Sequence, residues 1–237
     1  MDFANKIVII TGGAGGLGTG VTEAYLKAGA VVIVPYIYDE KWEALRDKNT
    51  ALANNLIGFK VNVLDEQEVE NFIDKVIQKY KRVDVLVNLV GGFFSGVNIA
   101  DLELDQWNKM MNLNMTSAFL CTKHVLPHMI SEKYGKIVNI GSKAALNGMK
   151  DMSAYGAAKA AVVNFTEALA AEVKQHNINS NAIVPSIIDT DANRKSMPDA
   201  DYSKWLKPES IARVILFLTS EDAKDITGAV LPIKGVN

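Results

Sequence analysis

The chain has little cysteine, almost no net charge and no long apolar run. A single cysteine, Cys121, in 237 residues forbids an internal disulfide, and its setting "AFLCTKHV" reads as a packed helix face rather than a reactive thiol. His124 and His128 are four apart in "KHVLPHM", but no third ligand lies near them in sequence and Pro127 is expected to disturb the helix between them, so no metal site is assigned. A formal net charge of −2 gives no electrostatic basis for binding nucleic acid. The opening "MDFANKIVIITGG" places an acid second and reaches glycine after a short apolar stretch, which fits neither a signal peptide nor a membrane span. A cytoplasmic protein is expected. No Pro/Gly/Ser-rich linker interrupts the chain, so residues 1–237 are expected to form one domain.

What is present is a core-forming composition, 49% apolar and 22% charged, arranged in two alternating kinds of segment. Short Val/Ile-rich runs occur at 6–11, 30–34, 56–61, 83–88, 135–140, 178–184 and 229–233. Most are apolar on both faces, as strands covered above and below by helices must be. Between them lie stretches with apolar residues three or four apart, among them "GLGTGVTEAYLKAG", "DEQEVENFIDKVIQKY" and "SAYGAAKAAVVNFTEALAAEVKQH". The alternation predicts an α/β fold: a single-domain, Rossmann-type, doubly wound parallel sheet of about seven strands with helices on both faces.

After the first strand comes "TGGAGGLG", residues 11–18, opening a helical pattern. In that context glycines permit a tight turn and close approach of backbone to a pyrophosphate at the helix N-terminus. Gly13, Gly15 and Gly18 fit one glycine spacing, and Gly12, Gly16 and Gly18 fit another; spacing does not choose between them. The second strand ends in Pro35 and Tyr36 rather than the carboxylate that would accept bonds from an adenosine ribose. Asp39 lies near enough to reach back and Lys41 to meet a phosphate, so NAD and NADP both remain open.

Further on, "SAYGAAK" sets Tyr155 and Lys159 four apart on a helix, hence on one face. An ammonium beside a phenol favours the phenolate and brings its proton toward useful range. Ser142, at the end of "GKIVNIGS", offers a hydroxyl to a carbonyl oxygen.

With these residues in this order, the chain resembles the short-chain dehydrogenase/reductases over nearly its whole length. The resemblance implies a nicotinamide-dependent oxidoreductase acting on a small carbonyl or alcohol. It takes the glycine loop in the second register and adds Asn114, in "NLNMTSAF", to a catalytic set of Asn114, Ser142, Tyr155 and Lys159. By that resemblance Tyr155 protonates the substrate oxygen, Lys159 lowers the phenol's pKa and binds the nicotinamide ribose, Ser142 orients the carbonyl, and Asn114 holds a relay water. The implied cofactor residues are Gly12, Gly16, Leu17, Gly18, Tyr36, Asn62, Val63, Asn88, Gly91, Tyr155, Lys159, Pro185, Ile188 and Thr190. Three departures stand out: Ser186 for a glycine, Asn62 for an aspartate, and the bulkier Leu89 and Val90. The family also implies a homotetramer or homodimer.

One long polar connection remains, "DTDANRKSMPDADYSKW" at 189–205. It lies past the sixth strand, where such sheets bind ligands, and is expected to form a substrate lid over about 186–207. It resembles the corresponding stretch of dihydropteridine reductases, which makes Asn193, Arg194, Met197 and Trp205, with Ser142 and Tyr155, candidate substrate contacts; equally, Arg194 and Asp201 pair and Trp205 is buried to pack the loop. Two enzyme readings follow: a carbonyl reductase or alcohol dehydrogenase of the 3-oxoacyl-reductase type, favoured by Ser142, and a reductase of a quinonoid pterin, favoured by the lid. A nucleotide sensor without catalysis is the reading from another class.

Overall fold

The computed structural model describes residues 1–235, so the last two positions of the expected 1–237 domain lie outside the described residues. Seven parallel strands carry the fold: β1 (Ile7–Thr11), β2 (Val31–Tyr36), β3 (Leu56–Lys60), β4 (Val85–Asn88), β5 (Gly135–Ile140), β6 (Ile178–Pro185) and β7 (Val230–Ile233). Their order is β3-β2-β1-β4-β5-β6-β7. Around them run α1 (Gly16–Lys27), α2 (Asp39–Lys48), α3 (Glu66–Tyr80), α4 (Leu104–Met111), α5 (Ser117–Glu132), α6 (Lys143–Leu146), α7 (Ser153–Val173), α8 (Asp191–Ser196) and α9 (Pro208–Thr219). The expected doubly wound α/β sandwich is what the chain forms.

Strand alternation explains the two-sided apolar runs. Val8 and Ile10 of β1 face a cluster built with Val21, Tyr25 and Leu26 of α1 and with Ile211, Ile215 and Leu218 of α9. Ile7 and Ile9 point the other way, into α3, α5 and α7 through Phe72, Ile73, Val125, Met129 and Leu169. Cys121 is wholly buried in this second cluster, and burial pushes its thiol up to about 12, so it is a core residue and no nucleophile. α1 and α9 approach closely because Gly20 faces Pro208: a Cβ at Gly20 would lie 2.9 Å from the proline Cβ.

Among its helices the structure departs from the sequence reading at α2 and around α5. Residues 39–48, not read as a helix, form α2, held by Trp42, which stacks on Tyr36 at 5.2 Å and fills the space above Gly58. Pro127 does not interrupt its helix; α5 runs through it. The irregularity comes earlier, where residues 112–116 form a π-helical turn between α4 and α5.

Phe72 is 1% exposed and packs edge-on against Phe59. Phe72→Ala is expected to destabilise the fold by ~3–5 kcal/mol, read as a lower urea midpoint with an unchanged slope. A loss under ~1 kcal/mol would contradict this account of the core.

Candidate active site

Strand order reverses between β1 and β4, which pair in parallel and end side by side at Thr11 and Asn88. A crevice opens there. The Thr11 hydroxyl accepts from the amides of Leu89 (3.2 Å) and Val90 (3.4 Å), joining the two strand ends. Gly12 turns the chain at φ +68°, and a Cβ on it would come within 3.1 Å of the Leu89 and Val90 backbone. Any Cβ at Gly18 would collide with the Gly12 carbonyl, and one at Gly16 would lie 2.9 Å from Cβ and Cγ2 of Thr190. Each glycine of the second register therefore has a steric reason. Gly15 precedes α1 without a side-chain cap, so the first-turn amides present their N–H groups to an anion. This cradle fits a dinucleotide pyrophosphate, with Leu17 half-buried beneath it against the core.

The catalytic candidates gather beyond the end of β5. Lys159 is 4% exposed, and its Nζ donates to the carbonyl of Ile140 at 2.8 Å. Burial pushes the ammonium down from 10.5 to about 8. Ser142 caps α6, its hydroxyl accepting from the Ala144 amide at 3.3 Å, and it lies near enough to the Tyr155 phenol to lower its pKa. Burial holds the Tyr155 phenol above its ordinary value, and the nearby Ser142 hydroxyl offsets part of that rise. The Lys159 ammonium, which the sequence pattern sets on the same helix face as the phenol, donates here to the Ile140 carbonyl.

Asn114 sits within the π turn, 2% exposed. Its Oδ1 accepts from the Gly92 amide (3.2 Å), and its Nδ2 donates to the carbonyls of Gly92 (3.1 Å) and Met110 (2.9 Å). The side chain thereby fixes the Gly91–Gly92 strip beside Lys159. A Cβ at Gly91 would lie 2.7 Å from Asn114 Oδ1 and 3.3 Å from Lys159 Nζ, so Gly91 is where the two polar ends meet.

Other cofactor candidates divide. Thr190 reaches the glycine loop, and Ile188 packs against the core beside it. Pro185 ends β6 opposite Ile233. Asn88 turns inward, donating to Asn139 Oδ1 (2.9 Å) and Thr122 (3.3 Å), with its own Oδ1 unpartnered. Asn62 is engaged in starting α3: its amide donates to Glu68 at 2.8 Å and its Oδ1 accepts from Leu64 at 3.1 Å. Val63 is a core residue. The Tyr36 ring is occupied by Trp42, and Asp39 is ion-paired with Lys60 at 2.5 Å.

Over 186–207 the side chains hold the loop itself. Asn193 Nδ2 donates to the Ile188 carbonyl at 2.8 Å. Arg194 does not meet Asp201; it makes a two-pronged pair with Asp189 at 2.5 and 2.9 Å, which Lys207 joins. These two cations hold the Asp189 carboxyl well below the usual carboxylate range. Asp201 instead accepts from Ser203. Trp205 is buried at 8% exposure and packs on Tyr202, whereas Met197 is half-buried. A cavity of about 370 Å³ lies under Trp205 and Ile187, and none of the four catalytic candidates lines it. Sequence reasoning missed Phe93, whose ring meets that of Tyr155 edge-on at 5.1 Å. The aromatic pair in "GGFFSG" was its signal.

With this geometry in place, comparison with known proteins gives consistent relatives. A family profile described as short chain dehydrogenase matches residues 6–201. The 3-oxoacyl-[acyl-carrier-protein] reductase FabG of Thermotoga maritima is 32% identical, over 99% of this chain and 98% of that protein. The meso-2,3-butanediol dehydrogenase of Serratia marcescens is also 32% identical, over 99% and 95%. Among solved structures, ElxO with NADP bound superposes with a TM-score of 0.91 at 32% identity, covering 97% of each chain.

A buried lysine whose pKa falls in the folded state opposes folding below its unfolded value. Between pH about 8 and 10.5 the unfolded chain holds the extra proton, so stability contributed at Lys159 rises with pH across that window. Lys159→Met is therefore expected to raise stability at neutral pH by ~1–2 kcal/mol while removing activity, with the gain shrinking as the pH rises through the window. Denaturant titrations of both proteins at neutral and alkaline pH test this; a destabilised variant at neutral pH would contradict it.

Proposed function

Because the chain belongs to the short-chain dehydrogenase family, and is by that membership an NAD(P)-dependent oxidoreductase, we propose that it interconverts a small-molecule carbonyl and its alcohol with Tyr155 as the proton donor. The observation that carries the proposal is the grouping of Ser142 close to the Tyr155 phenol, with the Lys159 ammonium buried one helical turn on. A carbonyl oxygen placed between the two hydroxyls could accept from both.

In this reading the glycine loop, Thr190 and the Gly91–Gly92 strip hold the dinucleotide, whose nicotinamide supplies or accepts the hydride. Ser142 orients the carbonyl. Tyr155 delivers the proton to the oxygen as charge builds there. Lys159, held by Ile140, keeps a positive charge close to the developing phenolate. Asn114 positions the backbone strip that faces Lys159. The lid over about 186–207 closes the site as a body, since its side chains are bonded to one another.

The 3-oxoacyl reductase type of carbonyl chemistry is favoured over pterin reduction. Ser142 suits a carbonyl, and the lid residues that suggest a pterin, Asn193, Arg194 and Trp205, are engaged within the loop. A nucleotide sensor would have no use for the full set of Asn114, Ser142, Tyr155 and Lys159. Self-association into a dimer or tetramer belongs to the same proposal, supported by Phe119, 43% exposed on α5 and edge-on to Phe165 of α7. A cytoplasmic place of action is supported by the one buried, unpaired cysteine. Among the described residues no helix is long and apolar enough to cross a membrane.

Tyr155→Phe is expected to lower kcat by ~10²–10⁴ while nucleotide still binds, and Ser142→Ala to lower it by ~10². Stopped-time assays with NADH and NADPH against a diketone, an acetoacetyl thioester and a quinonoid dihydropterin, paired with nucleotide fluorescence titration, read both effects. Full turnover by Tyr155→Phe would overturn the assignment.

A further inference from the structure

We propose that the substrate is a ketone bearing an aromatic ring next to its carbonyl, and that Phe93 selects it. This rests on the reading of Tyr155 as proton donor and adds to it the class of molecule reduced.

Phe93 is 59% exposed, yet its ring meets the ring of Tyr155 at 5.1 Å and 78°. An exposed apolar side chain alone means little. The position is what matters. Gly91 and Gly92 pass flush against Asn114 and Leu113, where a Cβ would lie 2.7 and 2.9 Å from those side chains. Phe93 is the first side chain after that strip, and it leaves the protein beside the proton donor. The next residue, Phe94, is partly buried in the cluster of Met110, Ala154 and Ala158 that Tyr155 also joins. Phe93 alone of the pair is both exposed and in ring contact with the phenol.

Across the mouth, the Gly96 amide donates to the Asp151 carbonyl at 3.0 Å, tying the Phe93 loop to the segment that starts at Ser142. That segment exposes Leu146 and Met149, each at 45%. Phe93, Leu146 and Met149 are thus exposed apolar side chains on the two joined segments that flank the Ser142 and Tyr155 hydroxyls. An aromatic ring on the substrate can stack offset or edge-on against Phe93, a preference beyond the area it buries. The competing occupant is an anionic acyl thioester, which Lys143 and Lys150 of the same segment would have to recognise. Both are exposed. Ion pairs in that setting are weak, being solvated and screened by salt.

The reaction balances with the family's own reductant. The carbonyl carbon gains a hydride from the reduced nicotinamide, the C=O π pair moves to oxygen, and that oxygen takes the Tyr155 proton. Ketone becomes secondary alcohol and the nicotinamide leaves oxidised.

The test is the ratio of kcat/KM for methyl phenyl diketone to that for biacetyl, measured with whichever reduced nucleotide the enzyme prefers. The wild type is expected to favour the aryl compound at least ~10-fold. Phe93→Ala should cut that ratio about ten-fold, equivalent to ~1.4 kcal/mol, and Phe93→Tyr should restore it. Nucleotide titration confirms that both variants are folded. A ratio unmoved by Phe93→Ala, or an acetoacetyl thioester reduced better than the aryl diketone, overturns the inference. Biacetyl turnover that disappears in Tyr155→Phe without any aryl preference sinks the substrate class and leaves the proton donor standing, whereas turnover that survives Tyr155→Phe removes both.

Discussion

An ammonium kept almost wholly out of water must be held by something, and at Lys159 that something is the carbonyl of Ile140. The shift from 10.5 to about 8 corresponds to roughly 3 kcal/mol opposing the charged form. A single backbone oxygen offsets part of that, and the rest of the fold must carry the remainder. Ile140 can serve because it is the last residue of β5, where the ladder to β6 ends and its carbonyl is free to leave the sheet. Two residues on, Ser142 starts α6 beside the Tyr155 phenol. The end of one central strand therefore sets the lysine, the serine and, through them, the tyrosine.

The nucleotide side of the crevice depends on close backbone approach instead of charge. Gly12, Gly16 and Gly18 let the loop lie against Leu89, Thr190 and itself, and Thr11 ties β1 to β4. Thr190 links this cradle to the 189–205 segment, where it caps α8. That segment is joined end to end by the Asp189 amide donating to the Leu206 carbonyl at 2.8 Å and by the cluster of Asp189, Arg194 and Lys207.

Much of this was legible in the sequence. Two-sided Val/Ile runs forced a covered parallel sheet, and their alternation is visible in β1, where Val8 and Ile9 enter different clusters. Tyr155 and Lys159 declared themselves by helical spacing, and the loop glycines by their place after β1. What could not be read was where polar side chains spend their hydrogen bonds. Asn62 and Arg194 bond to nearby residues and Asn88 to Thr122 and Asn139 across the fold, and neither kind of partner leaves a periodic trace. α2 escaped notice because its only buried residue is Leu45, and its anchor, Trp42 over Gly58, is a contact between elements. The phenol's upward shift likewise comes from burial, a property of the packed site.

The central claim is that Lys159 is a buried ammonium whose proton is held far less tightly than that of a solvated lysine. Its most direct test is a ¹³C-lysine NMR titration of the nucleotide-free protein, with the Lys159 resonance assigned by its absence in Lys159→Met. A midpoint near 8 is predicted, well apart from the other lysines. A midpoint at the ordinary 10.5 would mean that the ammonium is solvated and that the site is not built around it.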